Sequence, residues 1–96
     1  MARLVWTIQS ADDLQNIFEY ISKDSIKYAR IQVIRIRDRG NILKKNPHAG
    51  RIVPEIGDEN LRELIAGSYR IIYRINSDNL IEIITIHHSS RLLPIG

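Results

Sequence analysis

The sequence predicts an α+β domain: an N-terminal strand and an antiparallel helical hairpin packed on a mainly antiparallel, twisted sheet, in the order β-α-α-β-β-β. Three features of the apolar pattern point to it. Leu4, Trp6 and Ile8 alternate with polar residues; apolar positions then recur at helical spacing as far as Leu43; and three alternating segments after residue 60 are separated by turn formers. Helices followed by a run of strands read as helices laid on one face of a sheet.

Arg3 to Gln9 is the first predicted strand. Ser10 then reads as a helix N-cap, with Asp13 three residues on completing a capping-box variant. Leu14, Ile17, Phe18 and Ile21 follow at helical spacing, so residues 11–22 form an amphipathic helix. A second helix starts after Asp24 or Ser25. Its apolar stripe is Ile26, Ala29, Val33, Ile36, Gly40 and Leu43, while Arg30, Arg37 and Lys44 recur every seventh residue on another face, and Pro47 ends it. So short a connection makes the two helices an antiparallel hairpin. Residues 46–60, with Pro47, Gly50, Pro54 and Gly57, are loop-like, with room for a short strand within Arg51 to Glu55. Leu61 to Ala66, Tyr69 to Ile75 and Leu80 to His87 are extended. Gly67-Ser68 suits a two-residue hairpin turn with Gly first, and Asn76 to Asn79 supplies the second turn.

A chain of 96 residues supports one hydrophobic core, hence a single domain over 1–96 whose active surface is a face or a shallow groove. No apolar run approaches the about 20 residues of a membrane span. Arg3 and Trp6 also interrupt the start in a way that a cleavable signal would not, so a soluble, cytoplasmic protein is expected. Without cysteine there is neither disulfide nor thiolate metal site, and His48, His87 and His88 lack the spacing of zinc ligands. No metal, cofactor or redox chemistry is expected.

The formal net charge is +3, unevenly spread. Between Lys23 and Arg51 nine Lys or Arg face only Asp24 and Asp38, a local +7 that leaves −4 for the remainder. Either this is a solvated helix face or it meets an acidic partner, nucleic acid or an acidic protein segment.

Pairing Ala66 with Tyr69 sorts the sheet into faces, because side chains alternate and paired residues point the same way. Leu64, Ala66, Tyr69, Ile71, Tyr73, Ile84 and Ile86 fall on the expected core face. Glu63, Ile65, Arg70, Ile72, Arg74, Thr85 and His87 fall on the other, which is polar enough to suit a binding surface. A plainer reading makes Glu63, Arg70 and Arg74 cross-strand ion pairs, and His87 a hydrogen-bonded residue at a strand end rather than an acid or base.

Taken in order, Pro-x-x-Gly-Arg (Pro47 to Arg51), Leu-Arg-Glu-Leu (Leu61 to Leu64), Tyr-Arg-Ile-Ile-Tyr (Tyr69 to Tyr73) and His-x-x-Arg (His88 to Arg91) resemble the RelE/ParE superfamily, the toxins of type II toxin–antitoxin systems. The resemblance spans nearly the whole chain. It implies a growth-inhibiting toxin of the kind involved in plasmid stabilization, held in a hetero-oligomer by a cognate antitoxin that folds an acidic segment over the hairpin or sheet. RelE-like members are ribosome-dependent mRNA endonucleases (mRNA interferases), and this kinship would make Arg70, His87, His88 and Arg91 the catalytic set. ParE-like members inhibit DNA gyrase, and then Arg70 and Arg91 are structural or contact residues. In that case partner binding falls to Arg30, Arg37, Lys44, Lys45, Arg51 and Arg62. The Gly-Arg loop, the Leu-Arg-Glu-Leu strand and the isolated His-x-x-Arg resemble the ParE branch more closely, and Ile95 stands where RelE has its C-terminal tyrosine.

Overall fold

In the computed structural model, residues 2–77 and 79–90 are described, and their elements follow the predicted order. Strand β1 is Arg3–Trp6, helix α1 Ile8–Ser22 and helix α2 Ile26–Asn41, continued by a 3-10 turn over Ile42–Lys44. Strands β2 (Arg51–Ile52), β3 (Leu61–Ala66), β4 (Tyr69–Ser77) and β5 (Leu80–His88) follow among the described residues. The sheet runs β1-β5-β4-β3-β2, with β1 parallel to β5 and every other pair antiparallel.

The first strand and helix meet earlier than the sequence predicts: β1 ends at Trp6 rather than Gln9, and α1 begins at Ile8 rather than residue 11. The reason is Thr7. Its Oγ1 accepts from Ser10 N at 3.2 Å, and its hydroxyl hydrogen lies between the carbonyls of Ile83 and Ile84 at 2.7 and 3.0 Å, so one residue caps the helix and pins it to the sheet. Ser10 is therefore not the cap. It is buried, and its hydroxyl donates to Thr7 O at 2.8 Å. Asp13, freed from any capping box, crosses to the sheet and accepts from Thr85 Oγ1 at 2.5 Å and Ile86 N at 3.0 Å.

Ser25 does cap α2, accepting from Tyr28 N at 3.1 Å. The buried stripe of this helix is Ala29, Gln32, Ile36 and Gly40, continued by Leu43, whereas Val33 is half-buried and Ile26 exposed. The packed face is thus rotated slightly toward Gln32, whose carbonyl takes a bond from Arg35 at 3.4 Å instead of meeting an apolar neighbour.

Between β3 and β4, Gly67 has φ of +60° and Ser68 does not, the type II′ pattern that a two-residue hairpin needs, and Ala66 pairs with Tyr69 as expected. The core between helices and sheet holds Ile36, Leu43, Leu64, Ala66, Ile71, Tyr73, Ile81, Ile83 and Ile86. Burying each large aliphatic side chain contributes about 1.5–3 kcal/mol. Ile84 is absent from it. A register shift between Ile72 and Tyr73 sets Tyr73 opposite Ile83, so the alternation in β5 reverses and Ile84 turns to the far face, where it packs with Val53, Leu61 and Ile72. That far face is not an open surface: Glu63, Arg70 and Ile72 on it are buried, and Val53 packs against Ile72 and Leu61.

Candidate functional site

At the centre of the far face lies a cluster of charge. Arg70, on β4, is buried between two carboxylates. Its Nε donates to Glu63 Oε2 of β3 at 2.6 Å, and Nη1 and Nη2 donate to the two oxygens of Glu55 at 2.8 and 2.9 Å. Glu63 in turn accepts from Arg51 Nε of β2 at 2.9 Å. Two guanidinium groups thus balance two carboxylates, in the fork geometry that makes such bonds short and strong. The Glu55 hydrogen bond, followed by those and the charges of its other acid, raises the already high pKa of Arg70 despite the opposing effect of burial. Arg74 makes a looser, half-exposed pair with Asp58 at 3.6 Å.

Behind the cluster, Tyr73 ties down the loop before β2. Its hydroxyl donates to Pro47 O at 2.7 Å and accepts from Gly50 N at 3.0 Å, and burial pushes its pKa up. Arg62 donates to Gly50 O at 3.1 Å and to Glu59 O at 3.0 Å. Of the two arginines expected to bind a partner, Arg62 thus holds this chain's own loop, whereas Arg51 gives its Nε to Glu63 and keeps a side chain that is 67% exposed.

The histidines diverge. His87 lies opposite Arg70 in register on the far face, whereas His88 pairs with Tyr69 on the helix side. The His88 ring stands edge-on to Tyr69 with centroids 5.5 Å apart, and its Nδ1 meets Ser90 Oγ at 2.7 Å. Consecutive strand residues alternate between faces, yet both histidines border one groove at the end of β5. A groove of about 600 Å³ runs between α1 and the ends of β4 and β5, lined by Asp13, Asn16, Tyr20, Tyr69, His87 and His88. Arg91 lies outside the described residues.

The third group is the α2 ridge. Arg30, Arg37, Lys44 and Lys45 are all exposed, and among the described residues none of them forms an ion pair. Beside them Ile31, Ile34 and Ile42 are also exposed. Among the described residues no cluster of side chains suits a metal ion, and no helix is long and apolar enough to cross a membrane.

Sequence reasoning found Arg70 and Glu63 but missed Glu55, the second anchor of Arg70, because nothing in a Pro- and Gly-bearing loop marks one acid as inward-facing. It also missed the two loop contacts of the Tyr73 hydroxyl, since an alternating apolar strand accounts for that residue as core.

Comparison with known proteins agrees with this architecture. No curated protein matches the sequence. Among solved structures, this chain is similar to one described as a chromosomal ParDE TA system from P. aeruginosa, at 23% identity and TM-score 0.76, over 92% of this chain and 96% of that one. The family model described as the ParE toxin of type II toxin–antitoxin systems, parDE, matches residues 4–93. With the match running from β1 past the end of β5, the chain belongs to the ParE toxin family.

Proposed function

We propose that this toxin arrests growth by inhibiting DNA gyrase and that a cognate antitoxin neutralises it through an acidic segment. The closure of Arg70 between Glu55 and Glu63 is the observation that carries the choice of target. Cutting RNA through its 2′-hydroxyl needs a base, a proton donor and a cation free to meet the phosphate. Here the arginine in the matching position already holds two carboxylates and is not free to meet a phosphate. Inhibition by binding needs none of that chemistry, only a stable scaffold and a contact surface. Purified protein is therefore expected to block gyrase supercoiling and to leave mRNA intact on programmed ribosomes. Changing both His87 and His88 to alanine should leave most of the growth arrest in place. The gyrase assignment fails if the wild type cuts ribosome-bound mRNA and the folded double variant does not.

The unpaired cations of α2 support the antitoxin half of the proposal, since a basic ridge beside exposed isoleucines complements an amphipathic acidic segment. Reversing Arg30 and Arg37 to glutamate is expected to weaken antitoxin binding by about tenfold or more at low salt, an effect that shrinks as salt screens it. Equal affinity of wild type and variant across a salt titration would show that this ridge is merely solvated.

A further inference from the structure

We infer that the exposed isoleucine stripe of α2 is where this chain associates with a second copy of itself, the two helices lying antiparallel about a two-fold axis. Ile31, Ile34 and Ile42 are 43%, 53% and 38% exposed. With Asp38 they step by three, four and four residues, and so form one line on the side of the helix away from the buried Ala29, Ile36 and Gly40. Ile42 belongs to that line because, as the C-cap, it keeps helical dihedrals of −59° and −30°. Together with Arg35 and Arg39 these residues border a shallow hollow of about 380 Å³. Branching at Cβ lowers helix propensity, so no local preference places three isoleucines at solvent-facing positions of a helix. A contiguous apolar strip rimmed by charge marks a contact surface.

Charge selects the occupant. Asp38 is the only acid of α2, against Lys27, Arg30, Arg35, Arg37 and Arg39. It is exposed, and among the described residues it pairs with no cation, although Arg35 and Arg39 flank it. An acidic partner would bring like charge to Asp38, whereas a second copy brings Arg35. With two copies of α2 antiparallel and the axis level with the link between Ile36 and Arg37, residues equally far from that point on either side face each other. Ile31 then meets Ile42, and Asp38 meets Arg35, each twice. Ile34 meets the stem of Arg39, whose Nε donates to Ile65 O at 3.0 Å. The contact runs for three helical turns, about 16 Å. A parallel pair would instead set Asp38 against Asp38. One helix face buries less than the about 1,200–2,000 Å² of a stable interface, so the dimer is weak, with Kd on the order of 10–100 µM. The exposed ion pairs supply register more than affinity. Arg30, Arg37 and Lys44 lie on another flank of the helix and stay open in the dimer. An antitoxin segment that takes the isoleucines as well as those cations does so in place of the second copy.

Sedimentation velocity on the purified full chain without antitoxin, from about 1 to 300 µM at physiological salt, tests the assignment. The wild type is expected to pass from monomer to dimer across that range. Asp38→Arg and Arg35→Asp each set like charges opposite one another, and each should weaken association about tenfold or more. Mixed in equal amounts, the two variants should recover it, because one copy then carries two cations where the other carries two acids. The double variant, with the charges exchanged within one chain, should associate with itself as the wild type does. Ile34→Ser should weaken association about tenfold while leaving the far-UV circular dichroism unchanged, since the side chain is exposed. Should a charge variant fail to fold, Ile34→Ser and Ile31→Ser decide alone. A wild type that is still monomeric at about 300 µM overturns the proposal. So does a dimer that both single charge variants form as tightly as the wild type, or a mixture of the two that stays monomeric. All of these results leave the toxin family and the gyrase reading standing, because neither depends on self-association.

Discussion

Arg70→Ala is expected to destabilise the protein by about 3–5 kcal/mol, because it strands buried carboxylates with their principal counter-charge removed. Glu63 is 1% exposed and would retain only Arg51, and Glu55 would lose both of its bonds to the guanidinium. Set against a typical domain stability of about 5–15 kcal/mol, such a loss leaves much of the protein unfolded at growth temperature and lowers toxicity through abundance. Chemical denaturation of the purified variant measures the cost directly. Removing the charges together separates burial from pairing: Arg70→Met combined with Glu55→Gln and Glu63→Gln should recover part of the lost stability, as apolar or neutral replacements of whole buried ion clusters do. A cost under about 1 kcal/mol for Arg70→Ala would mean that the cluster behaves like a surface pair.

Gly50→Ala is the second large effect expected. A Cβ built on Gly50 would stand 2.3 Å from the backbone oxygen of Glu63 and 2.8 Å from the Tyr73 hydroxyl. The first of these is backbone in the middle of the sheet and cannot step aside as a flexible side-chain tip would. Relieving the clash means parting β2 from β3 or breaking the two bonds that Tyr73 makes with Pro47 and Gly50. Overpacking ordinarily costs 1–3 kcal/mol; here about 3 kcal/mol or more is expected, since ladder and loop are strained together. Gly57→Ala is the control. Gly57 has φ of +75° and open space where a Cβ would go, so the cost should be confined to the left-handed backbone, about 1 kcal/mol. Similar thermal midpoints for the two variants would refute the close-packing account of Gly50.

The hairpin from Leu61 to Ser77 was legible in the sequence because turn and alternation agree there: only one register puts Gly67 at a positive φ and keeps Leu64, Ala66, Ile71 and Tyr73 on one side. Agreement broke down where two residues could serve the same local role. Thr7 and Ser10 are both good caps, and what favours Thr7 is the pair of carbonyls on β5, 76 and 77 residues away. The fate of Ile84 turned on a single extra residue in β5, which periodicity carried across a turn does not reveal. For the site, the residues were easier to name than their company. Arg70 and Glu63 were both singled out, yet as surface groups, because burial on the far face depends on a loop whose path no short-range pattern fixes. The α2 cations were the reverse case, since their seven-residue recurrence is a property of the helix itself and needs no tertiary information.

The parallel pairing of β1 with β5 also bears on how the toxin comes into being. Arg3 meets Leu80 and Trp6 meets Ile83, so the first strand to leave the ribosome finds its partner only when the last has been made. Until then β1 is unpaired, and Ile36 and Leu43 of the hairpin lack Ile81, Ile83 and Ile86 to pack against. Contacts of such long sequence separation close late and slowly. Until β5 is made, a nascent toxin chain therefore carries a sticky, incomplete core. Its complete five-stranded sheet, and with it any inhibitory surface built on that sheet, appears only once β5 has been added.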